Sequence, residues 1–523
     1  MRPTSFGYAT VPGGLAHSSP QGVLVLACGR LTTEMNRFHV ITFGCQMNVH
    51  DSSRMTEVLM LAGYRAVDSV DSADVVILNT CSVRDKAEQK LRSEVGRLGM
   101  RKSNGQTLTI VVAGCVGQQE GRKLLRAAPE IDLVIGPDNI AELPGQLEEL
   151  NLGGLPRALT QFDELEPRFL PIRSNLSGVT PATYVTVMKG CNERCSFCIV
   201  PSTRGQERYR SSIEVVEEID RLVSRGTTEV TLLGQTVNSY RDPAQLLSHA
   251  DTEREHWENT PREVALSDLS EFPSLLRAIA ARSPGLRRLR YMSPHPRHLT
   301  RALIAAHREL PVLCRHVHIP VQSGSNRVLR RMIRRYSVDE FVERVEALRK
   351  AVPGLTLSTD VIVGFPGETR EDFDATLALV ERMKFSGLFG FKYSERPGTP
   401  ALKLANDVDE AEKSARLTEL FAISDAERQR YFTSLVGTHQ SVLVETQAAD
   451  GAWMGRTERN EIVHFASQRD VSGQLIEVII CQAFKNSLAA EATNPELAVP
   501  VSELPRLNNR PRKSDEKRVL RVV

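Results

Sequence analysis

Short apolar runs alternate with amphipathic segments between residues 36 and 152. The runs RFHVITFGC, ADVVILNTC and LTIVVAGC are each followed by a stretch whose apolar residues recur at helical spacing. Apolar runs of strand length that alternate with such helices are typical of the buried strands of a parallel sheet. We therefore predict an N-terminal α/β domain over residues 36–152.

A second strand–helix series follows between residues 177 and 418. Six repeats of this kind predict a partly open βα barrel of six units. A segment at 153–176 that is rich in Pro, Gly and polar residues predicts a linker, and a polar stretch at 241–272 predicts a surface insertion. The barrel strands are predicted in TYVTVMKG, TEVTLLGQ, LRRLRYMS, HVHIPVQS, LTLSTDVIVGF and GLFGFKYS.

The pattern changes again near the C-terminus, where short β runs are broken by Gly, Asp and Asn between about residues 437 and 491. This pattern predicts a small β-barrel in a third domain, 419–495, which includes the helix before it. The ends of the chain lack such patterns: residues 1–35 predict a disordered extension, and 496–523 a basic tail. The predicted fold class is α/β with this small C-terminal β-barrel.

Composition limits the partners that the chain can bind. The formal net charge is only +2 over 523 residues, so a nucleic acid would have to be held by a local basic face rather than by a global positive field. No apolar run reaches the about 18 residues that a membrane span requires. We expect a cytoplasmic monomer that does not enter a membrane.

Six of the nine cysteines stand in patterned places. Cys45, Cys81 and Cys115 each end a predicted strand of the N-terminal domain. Because the carboxyl ends of parallel strands share one edge of a sheet, these thiols predict a metal or cluster site there. The remaining cysteines, Cys28, Cys314 and Cys481, follow no pattern and are expected to be ordinary buried or free thiols.

The other patterned set is Cys191, Cys195 and Cys198, in the stretch KGCNERCSFCIVPSTRG after the first barrel strand. A structural zinc site takes four ligands, usually as two pairs, and the ferredoxin run has a different spacing. Three thiolates on an iron–sulfur cubane leave one iron without a protein ligand. That iron can hold S-adenosylmethionine (SAM) through its amino and carboxylate groups, and the cofactor then carries the chemistry.

With both thiol sets placed, the chain resembles the MiaB-type tRNA methylthiotransferases of the radical SAM superfamily over residues 36–495. The matching stretches include TFGCQMNVHDS, NTCSVRDKAEQK, KGCNERCSFCIVPSTRG, SPHPRHL, PVQSGSNRVLRRM, DVIVGFPGET and GRTERN. The resemblance implies that Cys191, Cys195 and Cys198 hold the radical [4Fe-4S] cluster. It also implies that Cys45, Cys81 and Cys115 hold an auxiliary [4Fe-4S] cluster with one open iron.

The reaction that the resemblance implies is the conversion of N6-isopentenyladenosine at position 37, in the anticodon stem-loop of tRNA, to its 2-methylthio derivative. One SAM methylates a sulfur at the auxiliary cluster, and a second gives the 5′-deoxyadenosyl radical that attacks C2 of the adenine. A flavodoxin or ferredoxin system would supply electrons. Related branches act on threonylcarbamoyladenosine in tRNA or on a ribosomal protein, and a non-catalytic iron–sulfur RNA-binding protein is a third alternative.

The resemblance also suggests further site residues. Strand ends that cradle SAM in similar enzymes correspond here to Gly234, Gln235, Gln322, Ser323 and Gly364; the alternative for each is a role in turn geometry alone. His295, at the third strand end, is as compatible with a structural role as with a functional one. The C-terminal barrel resembles a TRAM module, for which the predicted RNA contacts are Arg456, Arg459 and Lys485; the alternative is that these charges form a solvated face.

Overall fold

The computed structural model of the chain describes most of the three predicted domains. The extension predicted at 1–35 lies outside the described residues, as do nine of the 24 residues of the predicted linker, most of the predicted insertion and the tail after residue 499. None of the described helices is both long enough and apolar enough to cross a bilayer. The described residues are 36–83, 85–163, 168–171, 180–243, 270–448 and 451–499.

The N-terminal domain is a parallel sheet of six strands covered by helices. Its strands are β1 (Arg37–Phe43), β2 (Arg65–Ala66), β3 (Val75–Thr80), β4 (Thr109–Gly114), β5 (Leu133–Ile135) and β6 (Arg157–Leu159). Its helices are α1 (Gln46–Leu61), α2 (Asp85–Ser103), α3 (Cys115–Glu120), α4 (Arg122–Ala127) and α5 (Leu143–Asn151). The spatial order is β2-β1-β3-β4-β5-β6, and all neighbouring strands are parallel.

Both faces of this sheet are buried, which explains its continuous apolar runs. Val76 and Leu78 of β3 pack into one hydrophobic cluster, whereas Val75 and Ile77 pack into the cluster on the opposite face. A strand with a solvated face would alternate apolar and polar residues, but a parallel strand between two helical layers has no solvated face. The prediction of a parallel α/β domain is confirmed. Its last strand, β6 (Arg157–Leu159), pairs with β5 inside the stretch predicted to be a linker, so the domain extends beyond residue 152.

The second domain is built on six parallel strands that form two groups of three. Its elements in chain order are β7 (Ala182–Thr186), β8 (Met188–Lys189), α6 (Val200–Arg204), β9 (Arg208–Tyr209), α7 (Ser212–Ser224), β10 (Glu229–Leu233), α8 (Phe272–Arg282), β11 (Arg288–Tyr291), α9 (Arg301–Glu309), β12 (His316–His318), α10 (Asn326–Arg331), α11 (Val338–Ala351), β13 (Thr356–Val363), α12 (Arg370–Met383) and β14 (Gly387–Lys392). The groups are β11-β10-β7 and β12-β13-β14.

A parallel bridge between Leu289 of β11 and Leu313 joins the two groups, so the strands follow one another around a barrel. Among the described residues, β7 and β14 do not pair, and the barrel is open on that side. This confirms the predicted six-unit, partly open barrel. The short strands β8 and β9 form a separate antiparallel ribbon, in which Met188 pairs with Tyr209 and Lys189 with Arg208.

The third domain is a closed barrel of five strands that follows a long helix. The helix is α13 (Glu410–Leu435), and the strands are β15 (His439–Gln447), β16 (Trp453–Thr457), β17 (Ile462–Phe465), β18 (Leu475–Ala483) and β19 (Leu488–Ala492). The predicted β-barrel is confirmed. The domain boundary predicted between residues 418 and 419 falls inside α13, which packs against β14 through Leu417 and Phe421. It also packs into the barrel core through Phe432 and Leu435, so the helix belongs to both domains.

Two buried arginines of β11 attach the third domain to the second. Arg288 donates hydrogen bonds to the carbonyl oxygens of Arg456 (2.8 Å) and Ser441 (2.7 Å). Arg290 donates to the carbonyls of Thr457 (2.9 Å) and Glu458 (2.8 Å). Both arginines lie on one side of β11 because side chains two residues apart share a face of a strand.

Arg290 is also ion-paired with Glu229 at 2.8 Å, so its removal should destabilise this interface. We expect Arg290→Met to lower the free energy of unfolding by about 3–5 kcal/mol, because Glu229 and two carbonyls lose their donor in a buried place. Urea unfolding of reduced, iron-free protein measures this change, and hydrogen exchange in β16 localises it.

The matched control is Arg277→Met. Arg277 pairs with Glu309 at 3.0 Å on the surface, where an ion pair contributes about 0–1 kcal/mol. Equal losses from the two variants would contradict the role assigned to Arg290.

Candidate functional site

Three cysteines meet at the carboxyl edge of the N-terminal sheet. Phe43 of β1 is paired with Thr80 of β3, and Thr80 with Gly114 of β4, so the three strands end level with one another. Their cysteines follow within two residues of these ends. A β-carbon at Gly44 would lie 2.6 Å from the Cβ of Cys81, so glycine permits the close approach of the two loops. The thiols brought together are Cys45, Cys81 and Cys115.

Buried amides fix the start of α1, which carries Cys45, on the end of β3. The Cys45 thiol lies 3.4 Å from Asn48 Oδ1, and Asn48 Nδ2 donates to Asn79 Oδ1 at 3.1 Å. Cys81 donates a hydrogen bond to the sulfur of Cys45, which lowers the pKa of Cys45 to about 6 and raises the pKa of Cys81. One sulfur of this set is therefore prepared for the thiolate form that metals bind.

The set has a further neighbour that the sequence analysis did not identify. Arg204, in α6 of the second domain, donates from Nε to the sulfur of Cys115 at 3.3 Å. Its Nη2 donates to Asp51 of α1 at 2.6 Å. Arg204 lies in the stretch KGCNERCSFCIVPSTRG, but nothing in that pattern indicates that its side chain crosses into another domain.

The second thiol set lies in the loop that follows β7. The ribbon of β8 and β9 closes this loop at its base, and the amide of Cys191 donates to the carbonyl of Gly205 at 3.2 Å. The amide of Cys198 donates to the carbonyl of Cys195 at 3.1 Å. Gly190 has a φ of +79°, and a β-carbon there would lie 1.9 Å from the carbonyl oxygen of Gln206. The loop is therefore compact and closed on itself.

The sulfurs of this second set also have polar neighbours. Cys191 Sγ lies 3.0 Å from the hydroxyl of Thr236, and Arg334 Nη1 donates to Cys195 Sγ at 3.3 Å. Burial raises the pKa of Cys198 to about 12. Burial also raises the pKa of Cys191. Buried thiols of this kind lose their protons to a bound metal rather than to water.

Arg334 itself is 6% exposed. Its other hydrogen bonds go to the carbonyl of Pro320 (3.2 Å) and to the hydroxyl of Tyr336 (3.2 Å). In the part of the chain that the structure describes, no carboxylate forms an ion pair with it. A buried cation requires an anion nearby, and the sulfur of Cys195 is the group placed to supply that charge once it is metal-bound.

Both sets fit a polynuclear cluster better than a single ion. Within the described residues, neither set has all three sulfurs within 4.8 Å of one another, the spacing shown by the one group that could surround a mononuclear ion. None of the eight described cysteines is in a disulfide. Three soft thiolate ligands at wide spacing suit the corners of an iron–sulfur cubane.

Among the residues that the structure describes, the one group with single-ion spacing is Glu193, His295 and His298. His298 Nε2 lies 3.2 Å from Glu193 Oε1. The amide of Arg297 donates to His295 Nδ1 at 3.2 Å, so neutral His295 carries its proton on Nε2 and would have to lose it to bind a metal. His295 Nε2 and Glu193 Oε2 are buried and without a hydrogen-bond partner among the described residues. The pair therefore presents one donor and one acceptor beside the second thiol loop, and Glu193 was missed from sequence.

The five residues predicted to contact SAM differ in whether their polar atoms already have hydrogen-bond partners. Gln235 Oε1 accepts a hydrogen bond from the amide of Gly190, and its buried Nε2 has no partner among the described residues. Gln322 has a φ of +72°. Ser323 Oγ lies 3.4 Å from the hydroxyl of Thr376 and accepts from the amide of Ser325 at 3.2 Å.

The other two predicted SAM contacts are glycines, and close packing and a backbone hydrogen bond fix their positions. A β-carbon at Gly234 would lie 2.6 Å from the side chain of Met188, and one at Gly364 would lie 2.3 Å from that of Lys413. The amide of Gly364 donates to Glu368. Gln235 thus offers a free polar atom to a ligand, while Ser323, Gly234 and Gly364 shape the strand ends; a cofactor role for all five stays a prediction.

Two of the predicted RNA contacts face other parts of the protein. Arg456 is ion-paired with Glu445 at 3.2 Å. Arg459 donates to the carbonyl of Gly354 in the second domain at 2.8 Å. Lys485 is 69% exposed and pairs with Asp425 at 2.9 Å. The exposed position of Lys485 suits contact with RNA, whereas Arg459 contributes to the interface between domains.

Comparison with known proteins identifies the family. Residues 37–136 match the model of an uncharacterized protein family, UPF0004, and residues 185–380 match the radical SAM superfamily. A tRNA-2-methylthio-N(6)-dimethylallyladenosine synthase of Sorangium cellulosum is 58% identical over 479 residues, which cover 88% of this chain and 94% of the relative. The chain belongs to this synthase family.

A second member, from Geobacter sulfurreducens, is 42% identical over 462 residues, which cover 88% of this chain and 98% of the relative. A radical SAM methyltransferase structure from Kitasatospora setae is more distant: its TM-score is 0.46 and its identity 15%, with 79% of each chain covered. The radical SAM domain implies that one [4Fe-4S] cluster and SAM are cofactors of this family member.

The contact between Arg334 and Cys195 predicts a link between stability and cluster binding. Loading should stabilise the wild-type chain partly by giving Arg334 an anionic sulfur. We expect Arg334→Met to reduce the difference in unfolding free energy between loaded and iron-free protein by roughly 1–4 kcal/mol. Anaerobic urea unfolding of the two forms measures this difference.

Arg344→Met is the control, because Arg344 donates to the carbonyl of Pro296 at 2.9 Å and not to a thiol. An undiminished difference in the Arg334→Met variant would show that Arg334 does not neutralise the site.

Proposed function

We propose that the chain methylthiolates C2 of N6-isopentenyladenosine at position 37 of tRNA, giving 2-methylthio-N6-dimethylallyladenosine. The observation that carries the proposal is the pair of three-thiol sets, each at the carboxyl edge of its own parallel sheet and connected through Arg204. The names of the two relatives from Sorangium cellulosum and Geobacter sulfurreducens favour this substrate over threonylcarbamoyladenosine or a ribosomal protein.

In this proposal each set holds one [4Fe-4S] cluster through three thiolates and leaves one iron open. The radical cluster would be held by Cys191, Cys195 and Cys198, and the auxiliary cluster by Cys45, Cys81 and Cys115. When bound, the clusters and SAM supply the one-electron and sulfur chemistry that an unactivated C–H bond at C2 requires. The protein supplies position, charge and exclusion of water.

Packing around the second thiol loop supports that role. Ser196 donates from its amide to the carbonyl of Met332 (3.0 Å) and from its hydroxyl to that of Arg331 (2.8 Å), which fixes the middle of the loop. Phe197 packs edge-on against Phe365 at a centroid distance of 6.4 Å. These contacts hold the thiols rigidly and keep water from one side of the loop.

Polar atoms near this loop are available to orient a ligand. The free Nε2 of Gln235 and the unpartnered Nε2 of His295 are donors, and Glu193 Oε2 is an acceptor. Besides the amino and carboxylate groups that bind iron, SAM offers ribose hydroxyls and an adenine edge, so it can satisfy donors and acceptors together. We propose that these side chains orient SAM or the target base.

The remaining partners follow from the reaction. The substrate is tRNA, bound through its anticodon stem-loop, and the electron donor would be a flavodoxin or ferredoxin system. A tRNA substrate favours the cytoplasm as the site of action, and we propose that the chain acts as a monomer. Because the net charge is only +2, contact with tRNA must depend on local basic positions such as Lys485.

The first prediction from the proposed function concerns iron content. Anaerobically reconstituted protein should bind about eight iron ions, as two [4Fe-4S] clusters. Replacing Cys191, Cys195 and Cys198 together by Ala should halve this number and abolish formation of 5′-deoxyadenosine. Iron analysis and chromatography of the SAM products measure both. Reductive cleavage of SAM by the triple variant would place the radical site elsewhere.

The second prediction separates the two sites. Cys81→Ala should abolish methylthiolation of isopentenylated tRNA, because an auxiliary ligand is lost, while reductive cleavage of SAM continues at a measurable rate. Mass spectrometry of the digested tRNA and quantification of 5′-deoxyadenosine provide the two readouts. Cys314→Ala is the control: Cys314 is buried in the second domain outside both sets. Equal loss of both activities in Cys81→Ala would indicate a folding defect instead.

The third prediction concerns RNA contact at the C-terminal barrel. Lys485→Gln should weaken tRNA binding and reduce the slope of log K against log salt by about 1, the effect of losing one phosphate contact. Arg459→Gln should leave the slope unchanged, because the Arg459 side chain is bonded to the carbonyl of Gly354 in the second domain rather than placed to contact RNA. Filter binding across a salt series tests both. The reverse result would return the RNA contact to Arg459.

A further inference from the structure

Arg204 lies close in sequence to Cys191, Cys195 and Cys198, but its side chain contacts the thiol set of the N-terminal domain. It ends α6, which begins two residues after Cys198. Its guanidinium nevertheless lies against Cys115 Sγ (3.3 Å) and Asp51 (2.6 Å), both in the N-terminal domain. Arg204 is 4% exposed, so these contacts are made away from water.

The backbone of Arg204 is fixed to the second thiol loop. Its carbonyl accepts a hydrogen bond from Arg208 Nη2 at 2.7 Å. The carbonyl of the next residue, Gly205, accepts a hydrogen bond from the amide of Cys191 at 3.2 Å. The loop that carries Cys191, Cys195 and Cys198 therefore closes at the residue beside Arg204, and a shift of that loop would move the guanidinium.

A neighbouring arginine shows what a purely structural link between the domains looks like. Arg208 is buried and pairs with Asp138 of the N-terminal domain. It also donates to the carbonyl of Asp163 at 2.9 Å. Its contacts include no thiol among the described residues. Arg208 thus links the two domains without contacting any of the described thiols. Arg204 makes an additional contact, with the sulfur of Cys115, that a link between the domains does not require.

We propose that Arg204 is a positioning residue through which the radical loop completes the auxiliary thiol site. The inference rests on the proposed function, since it takes Cys115 as a cluster ligand. A hydrogen bond from a cation to a ligand sulfur stabilises the electron-rich, reduced form of a cluster and orients the ligand. Arg204 therefore makes the auxiliary cluster easier to reduce and fixes Cys115 relative to the radical loop.

The test uses the full chain with Cys191, Cys195 and Cys198 replaced by Ala, so that only the auxiliary cluster remains. In this background, Arg204→Met should lower the midpoint potential of the cluster in an EPR-monitored titration. Arg204→Lys, which keeps the charge, should recover part of the shift. Asp138→Asn, which weakens the ion pair between Arg208 and the N-terminal domain but keeps the hydrogen bond from Arg208 to the Arg204 carbonyl, should leave the midpoint unchanged.

Iron content keeps the test decisive if a variant binds its cluster poorly. Loss of iron in Arg204→Met but not in Asp138→Asn supports the inference, because the auxiliary site then depends on Arg204 itself. Loss of iron in both variants, equal shifts in both, or no shift in Arg204→Met would overturn it, because Arg204 would then be a structural link only.

Failure of the inference and failure of the proposed function are distinguishable. If the background variant binds no iron before any arginine is changed, Cys45, Cys81 and Cys115 hold no cluster, and the two-cluster proposal falls together with the inference. If the background variant binds about four iron ions and Arg204→Met behaves like Asp138→Asn, only the inference about Arg204 falls.

Discussion

Parallel strands must bring their carboxyl ends to one edge of a sheet, and this constraint positions every thiol of the molecule's two candidate cluster sites. In the N-terminal sheet, Phe43, Thr80 and Gly114 end in register, so three loops deliver one cysteine each. In the barrel, the loop after β7 delivers three thiols at once.

Buried arginines then set the charge beside each of the two thiol sets. Each thiol set has one sulfur that accepts a hydrogen bond from a buried arginine: Cys115 from Arg204 and Cys195 from Arg334. Arg204 is balanced by Asp51, whereas Arg334 has no carboxylate partner in the described chain. An anionic cluster beside Arg334 would compensate a charge that is otherwise costly to bury. The sites therefore differ in charge although they share their ligand chemistry.

Local patterns in the sequence predicted the parts of the structure that local physics controls. Apolar runs and helical periodicity located the strands, and cysteines at strand ends located the first thiol set. The patterns could not indicate Arg204 or Arg334, whose side chains act across domains or distant loops. The same limit applies to Arg459: its charge was readable from sequence, but its partner, Gly354, became visible only in the fold.

The most direct test of the account is nucleoside mass spectrometry of tRNA from a strain that lacks this chain. We expect N6-isopentenyladenosine to accumulate, its 2-methylthio derivative to disappear, and the wild-type chain to restore that derivative. Persistence of the 2-methylthio derivative would contradict the account. So would the loss of a methylthio group from threonylcarbamoyladenosine instead, because the substrate would then be a different tRNA base.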